Sequence, residues 1–142
     1  MMQALGTETM VHNLGYLLNM QWSSFEDFQS RYDSSVDLNS FAKRASMLWQ
    51  LDLLGHLLRK RLVDPEIVYT AGGTNAIWLW AKFKPIIDGY RKLSYGDSAY
   101  SDMEYLAREM WAMKRVRDPG FTSDRVYFGE GAFEKAFSSS PQ

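Results

Sequence analysis

An all-α domain is the fold class this chain predicts, and three observations carry that expectation. Apolar residues recur at i, i+3, i+4 and i+7 through most of its length. Capping residues, Pro at a first helical position and paired Gly divide the pattern into segments of helical length. Nowhere does a useful run alternate apolar and polar residues as a half-buried strand would. The expected architecture is a single-domain helical bundle of four longer helices plus one or two short ones. Its central helix lies near 37–61 and a Pro-kinked helix lies near 74–93. The domain spans 1–137, with 118–137 as a tail that docks on the bundle or binds a partner, and 138–142 as a disordered terminus.

The first helical segment covers about 7–20, with Met10, Leu14, Leu17 and Leu18 near one face. Gly15 weakens it by about 1 kcal/mol relative to Ala. Ser24 caps a short second helix, with Glu26 and Asp27 where the dipole favours acids. Phe25, Phe28 and Tyr32 make its stripe, and it breaks at Asp33-Ser34-Ser35. Asp37 caps the third and longest helix. Phe41, Ala42, Ala45, Leu48 and Trp49 cluster on one side of it, and Leu51, Leu54, Leu57, Leu58 and Leu62 fall on nearly the opposite side. A buried face that switches in this way predicts a helix passing between two partners.

Asp64-Pro65-Glu66 is a restart signal: a cap, a proline at the first helical position, and an acid at the positive dipole end. Ile67 and Val68 follow, and Gly72-Gly73 stop the short helix. Thr74 is expected to cap the next one, whose face is Leu79, Phe83, Ile86, Ile87 and Tyr90. Interior Pro85 removes one backbone hydrogen bond and predicts a kink. Ser101 and Glu104 have capping-box spacing ahead of the stripe Met103, Leu106, Ala107 and Met110. This last long helix ends near Arg117, before Asp118-Pro119-Gly120. The tail carries Phe121, Tyr127, Phe128, Phe133 and Phe137.

Composition narrows function more by exclusion than by indication. At 142 residues the chain can close a core without staples. Its 15% aromatic share, with five Trp, eight Tyr and eight Phe, implies a well-filled core or an adhesive surface. The absence of cysteine excludes disulfides, thiolate metal sites and cysteine nucleophiles, and fits a reducing compartment. A net charge of -1 gives no global field for nucleic acid or anionic lipid. No apolar run is long enough to span a bilayer and no signal peptide opens the chain, so a cytoplasmic location is expected.

Several pieces of the chain share one likeness: Leu51-Asp52-Leu53-Leu54-Gly55; Leu62-Val63-Asp64-Pro65-Glu66-Ile67-Val68-Tyr69; Trp80 with Pro85-Ile86-Ile87 and Arg91; and Glu104-Tyr105-Leu106-Ala107. Over about 38–110 these resemble an uncharacterised family of small helical microbial proteins, catalogued as a domain of unknown function. Some similar proteins look membrane-tethered through an N-terminal helix. Arg61 stands where similar sequences often have Gly. The resemblance implies a helical fold and carries no reaction.

Candidate chemistry is sparse. Asp52 and His56 stand one turn apart with Arg59 near, the first half of an acid–base unit, or a plain i, i+4 pair. Trp80, Lys84 and Arg91 share a flank that suits an anion or a flat ligand, unless Trp80 is core and Arg91 pairs with an acid such as Glu104. Asp52, His56, Trp80, Lys84 and Arg91 are therefore the candidate ligand-binding set. Trp22, Trp78, Trp111 and Phe133 are the candidate interface, the three tryptophans lying off the main stripes. Arg59-Lys60-Arg61 and Lys114-Arg115-Val116-Arg117 are basic, but both end helices, where cations are favoured in any case. His12 and His56 are the only histidines and carry no ligand motif, so no metal, cofactor or catalytic residue is expected.

The leading expectation is a non-enzymatic interaction module, either a homo-oligomer or a binder of a protein partner. One alternative is a small-ligand protein or enzyme with a pocket between the central and Pro-kinked helices. The other is a nucleic-acid module using 59–61 and 114–117, which the net charge disfavours.

Overall fold

Local cap chemistry sets most of the helix starts. Thr7, Ser24, Asp37 and Asp64 each accept a hydrogen bond from a backbone N–H in the first turn that follows. The computed structural model describes residues 7–121 and 132–138. Within them lie α1 (Glu8–Leu18), α2 (Phe25–Tyr32), α3 (Leu38–Arg59), α4 (Pro65–Val68), α5 (Asn75–Tyr90), α6 (Ser101–Arg117) and α7 (Ala132–Phe137). No strand occurs among the described residues. α1, α3, α5 and α6 are the four longer helices. α7 was not expected as a helix; it packs on α5. Tyr127, Phe128 and the terminus beyond Ser138 lie outside the described residues.

α3 and α6 make the most extensive helix pair. They run in the same direction: Trp49 sits by Tyr100, Asp52 holds Met103, and Gly55 meets Leu106. α1 runs opposite to α3, with Met10 at Gln50 and Tyr16 under Lys43. α5 lies across both sides of the bundle, contacting α1, α2, α6 and α7. The core joins Leu51, Leu54 and Leu58 of α3 to Trp80, Phe83 and Ile87 of α5 and to Met103, Leu106 and Met110 of α6.

The switching face expected for α3 is not there. Its buried residues are Ser40, Arg44, Ala45, Met47, Leu48, Leu51, Leu54, Gly55 and Leu58, and all but Ala45 fall within one continuous stripe. Three members of that stripe, Ser40, Arg44 and Gly55, do not read as apolar in sequence. Arg44 is 5% exposed because its guanidinium lies under the rings of Phe28, Phe41 and Tyr90. Gly55 is buried because α6 crosses its backbone. Trp49, assigned to the core from its periodicity, lies outside the stripe and is 60% exposed.

Two expected caps are also corrected. Thr74 has helical backbone angles and makes no side-chain cap. Ser101 is the first residue of α6 rather than its cap. The capping position is Tyr100 in a left-handed conformation, and Glu104 turns to Arg91 and Arg108 instead of back to the start. α5 continues through Pro85, whose ring is exposed.

α3 ends in a Schellman motif: the Arg61 N–H donates to the Leu58 carbonyl and the Leu62 N–H to that of Leu57. Arg61 therefore sits at φ +59°, the conformation for which Gly is favoured. Arg61→Gly should raise stability by up to about 1 kcal/mol, read as a higher midpoint in chemical denaturation. An unchanged or lower midpoint would mean the Arg61 side chain holds the elbow.

Candidate functional site

The first turn of α6 gathers most of the polar candidates. The N–H groups there lack intrahelical partners. Asp52, reaching across from α3, accepts from the Met103 N–H at 2.8 Å and so caps α6 from another helix. His56 Nδ1 lies 3.2 Å from Asp102 Oδ2, and Arg59 Nε donates to Asp102 Oδ1 at 2.8 Å. Arg59 also donates to the Ser101 carbonyl and covers the Tyr105 ring. Asp52 and His56 thus do not form a pair. Each faces its own partner on α6, and Gly55 between them lets the two backbones touch. The Asp-x-x-Gly-His-x-x-Arg stretch of α3 is a helix-docking device.

Trp80, Lys84 and Arg91 are brought to one flank and then engaged there. Trp80 is fully buried, and the Arg91 guanidinium lies 5.7 Å from the centre of its ring. Arg91 donates to Glu104 Oε1 at 3.2 Å and to the Ala99 carbonyl at 2.8 Å. Lys84 Nζ lies 2.8 Å from Asp88. Glu104 holds Arg108 with its other oxygen. An anion arriving here would have to displace Glu104 or Asp88.

The interface candidates pack largely against one another. Trp111 stacks on Phe137 at 5.1 Å and lies 5.4 Å from Phe133, while Trp78 is 5.7 Å from Phe133 and 5.8 Å from Phe121. Phe133 is buried in this cluster, which clamps α7 to α5 and α6. Trp22 meets Phe28 edge-on at 5.1 Å and leans on Phe83. Trp78 of α5 and Trp111 of α6 thus pack against the aromatics of the C-terminal segment, and Trp22, in the connection between α1 and α2, packs against α2 and α5.

Burial raises the Asp52 carboxyl above its ordinary range, and the charge of Asp102 adds to this, while the bonded Met103 N–H pulls the other way. Between the ordinary and the raised value the folded chain binds the extra proton. Stability from this group therefore falls as pH climbs through that window. Asp52→Ala should cost about 1–2 kcal/mol through loss of the cap. Asp52→Asn keeps an acceptor for Met103, removes the charge, and should be near neutral at pH 7 while flattening the acid side of the stability profile. Equal losses in both variants, measured by denaturant unfolding, would count against the capping role.

The basic clusters are partly neutralised: Arg59 pairs with Asp102, Lys114 with Asp118 and Arg117 with Glu66. Among the described residues, no group of three or more His, Asp or Glu side chains could hold a metal ion. No helix among them is long and apolar enough to cross a membrane. Sequence reasoning did not identify the outer face of α3, where Trp49 and Leu53 (49% exposed) stand one turn apart. The i, i+4 spacing of two large apolar residues flanked by Ser46, Gln50 and Lys60 could have shown it.

A family model described as Domain of unknown function (DUF4760) matches residues 2–111, so the chain belongs to that family. No curated protein and no solved structure matches it. The family region takes in α1 to α5 and the larger part of α6, and α7 lies beyond it.

Proposed function

We propose that this member of the family is a helical interaction module that acts by association, and in particular by self-association, rather than by catalysis. The observation that carries the reading is a division of labour among side chains. Groups with chemical capacity are engaged inside the fold: Asp52 by Met103, His56 and Arg59 by Asp102, Arg91 by Glu104. Large apolar groups meanwhile stand in solvent, among them Trp49 and Leu53 on α3 and Leu62 at the elbow. Exposed aromatic and aliphatic groups of this size are the usual material of interface anchors. A reducing, cytoplasmic setting fits the lack of cysteine.

The ligand-pocket reading draws less support, because Trp80 is wholly buried and Lys84 and Arg91 already hold acids. The nucleic-acid reading loses Arg59, Lys114 and Arg117 to ion pairs. Light scattering coupled to size exclusion, at a low and a high loading of the native chain, tests the association reading. A molar mass that rises with concentration, or a stable mass above that of one chain, is the expected result. A one-chain mass at both loadings would contradict it.

A further inference from the structure

At the elbow, an apolar groove of about 510 Å³ opens between the end of α3 and the outer face of α6. Leu58, Val63, Pro65, Tyr105 and Met113 line it, with Arg61 at the end of α3, Asp64 committed to capping α4, and Glu109 on the α6 wall. Immediately beside this hollow stands a projection. Leu62 occupies the Schellman position whose side chain commonly folds back on the helix, yet it is 71% exposed. An exposed apolar side chain thus stands in the chain between two residues that line the groove, Arg61 and Val63.

The charges follow the same logic. Arg61 and Glu109 belong to none of the ion pairs among the described residues. One wall of the groove therefore offers a cation outside any ion pair, and the other an acid whose only side-chain partner among the described residues is the Tyr105 hydroxyl. A surface with a projection beside its own receptor, and opposite charges on its two walls, is complementary to itself under a two-fold axis. Each Leu62 would enter the other copy's groove, and each Arg61 would face the other's Glu109.

We infer that a second copy of this chain docks at the elbow, with Leu62 as the anchor and two reciprocal Arg61–Glu109 contacts setting the register. This rests on the association reading above and gives it a location. The patch is small. Interfaces below about 1,200 Å² in total are weak or transient, so the dimer should form in the micromolar range or above.

Sedimentation velocity over a concentration series, from low micromolar to several hundred micromolar, tests it on the full chain. Leu62→Glu replaces an exposed side chain, so thermal unfolding should be unchanged while association weakens by about ten-fold or more. Arg61→Glu and Glu109→Arg should each weaken association. The double variant, which restores both contacts with their signs exchanged, should return it to near the native strength. Native-like association of Leu62→Glu, or failure of the double variant to recover, would overturn the elbow site and leave the association reading standing. Loss of association on Leu53→Glu with none on Leu62→Glu would move the contact to the outer face of α3. A native chain that stays monomeric throughout would overturn both.

Discussion

Gly55→Ala should be among the most damaging small substitutions in this protein. A Cβ built at that position would lie 1.9 Å from the Asp102 carbonyl oxygen and 3.2 Å from the Leu106 Cβ. The obstacle is backbone, at the first turn of a helix that Asp52, His56 and Arg59 hold in place, so it cannot give way without loosening the α3–α6 contact. Forced overpacking of a core contact commonly costs about 1–3 kcal/mol and sometimes more. The upper end is expected here, with a melting temperature lower by roughly 10 °C. Gly15→Ala is the natural control, since nothing lies within 4 Å of a Cβ at that exposed-side helical position. There the helix propensity gain of about 1 kcal/mol should appear as a higher melting temperature. If calorimetry shows the two variants shifting alike, the close approach of α3 and α6 at Gly55 is wrong.

Phe133→Ala should release α7. Phe133 is buried against Trp78, Trp111 and Phe121, with Phe137 stacked on Trp111 behind it. Truncating a buried Phe costs about 3–5 kcal/mol in a core that cannot rearrange. α7 has six residues, and a helix of that length does not persist alone in water. The loss should therefore appear as local unfolding: amides of Ala132–Phe137 exchange freely, while those of α3 and α6 keep their protection. Retained protection of α7 would mean that other contacts hold it. A cooperative loss across α3 and α6 would mean that the aromatic cluster belongs to the central core, although the family region ends at 111.

Both expectations turn on what was and was not legible in the sequence. The caps Ser24, Asp37 and Asp64 were legible because each acts on an N–H two or three residues away. The capping of α6 was not, because it comes from Asp52, 51 positions before Met103 in the chain, and no local spacing encodes that pairing. Arg44 and Gly55 hid the continuous buried stripe of α3 for a related reason: an arginine under three rings and a glycine against a crossing helix become core only through their neighbours. α7 had a visible signal in Phe133, Ala136 and Phe137 at i, i+3 and i+4, too short to stand against the turn residues around it.

The candidate ligand-binding set was legible as a list but not as an arrangement. Asp52 and His56 were read as a pair because an i, i+4 spacing puts side chains on one face. In the fold that shared face is the one α6 covers, so each side chain finds a partner on α6 before it finds the other. Trp80, Lys84 and Arg91 do share a flank, but Asp88 and Glu104 complete it. Trp78 and Trp111 lie off the main stripes of their helices and pack on a second surface, formed with Phe121, Phe133 and Phe137. That this surface lies within the same chain depends on packing that no single helix reveals.

On the association reading, this fold engages its chemically capable side chains internally and acts through the apolar surface it leaves exposed, with the elbow as the contact. Hydrogen–deuterium exchange of the native chain, measured at low and at high protein concentration, tests it most directly because it reports where protection is gained. Slower exchange is expected at high concentration in the peptide covering residues 60–66, where the backbone turns between α3 and α4, with the amides of α1 and α2 unchanged. Exchange that is independent of concentration everywhere, or protection gained only away from the elbow, would contradict it.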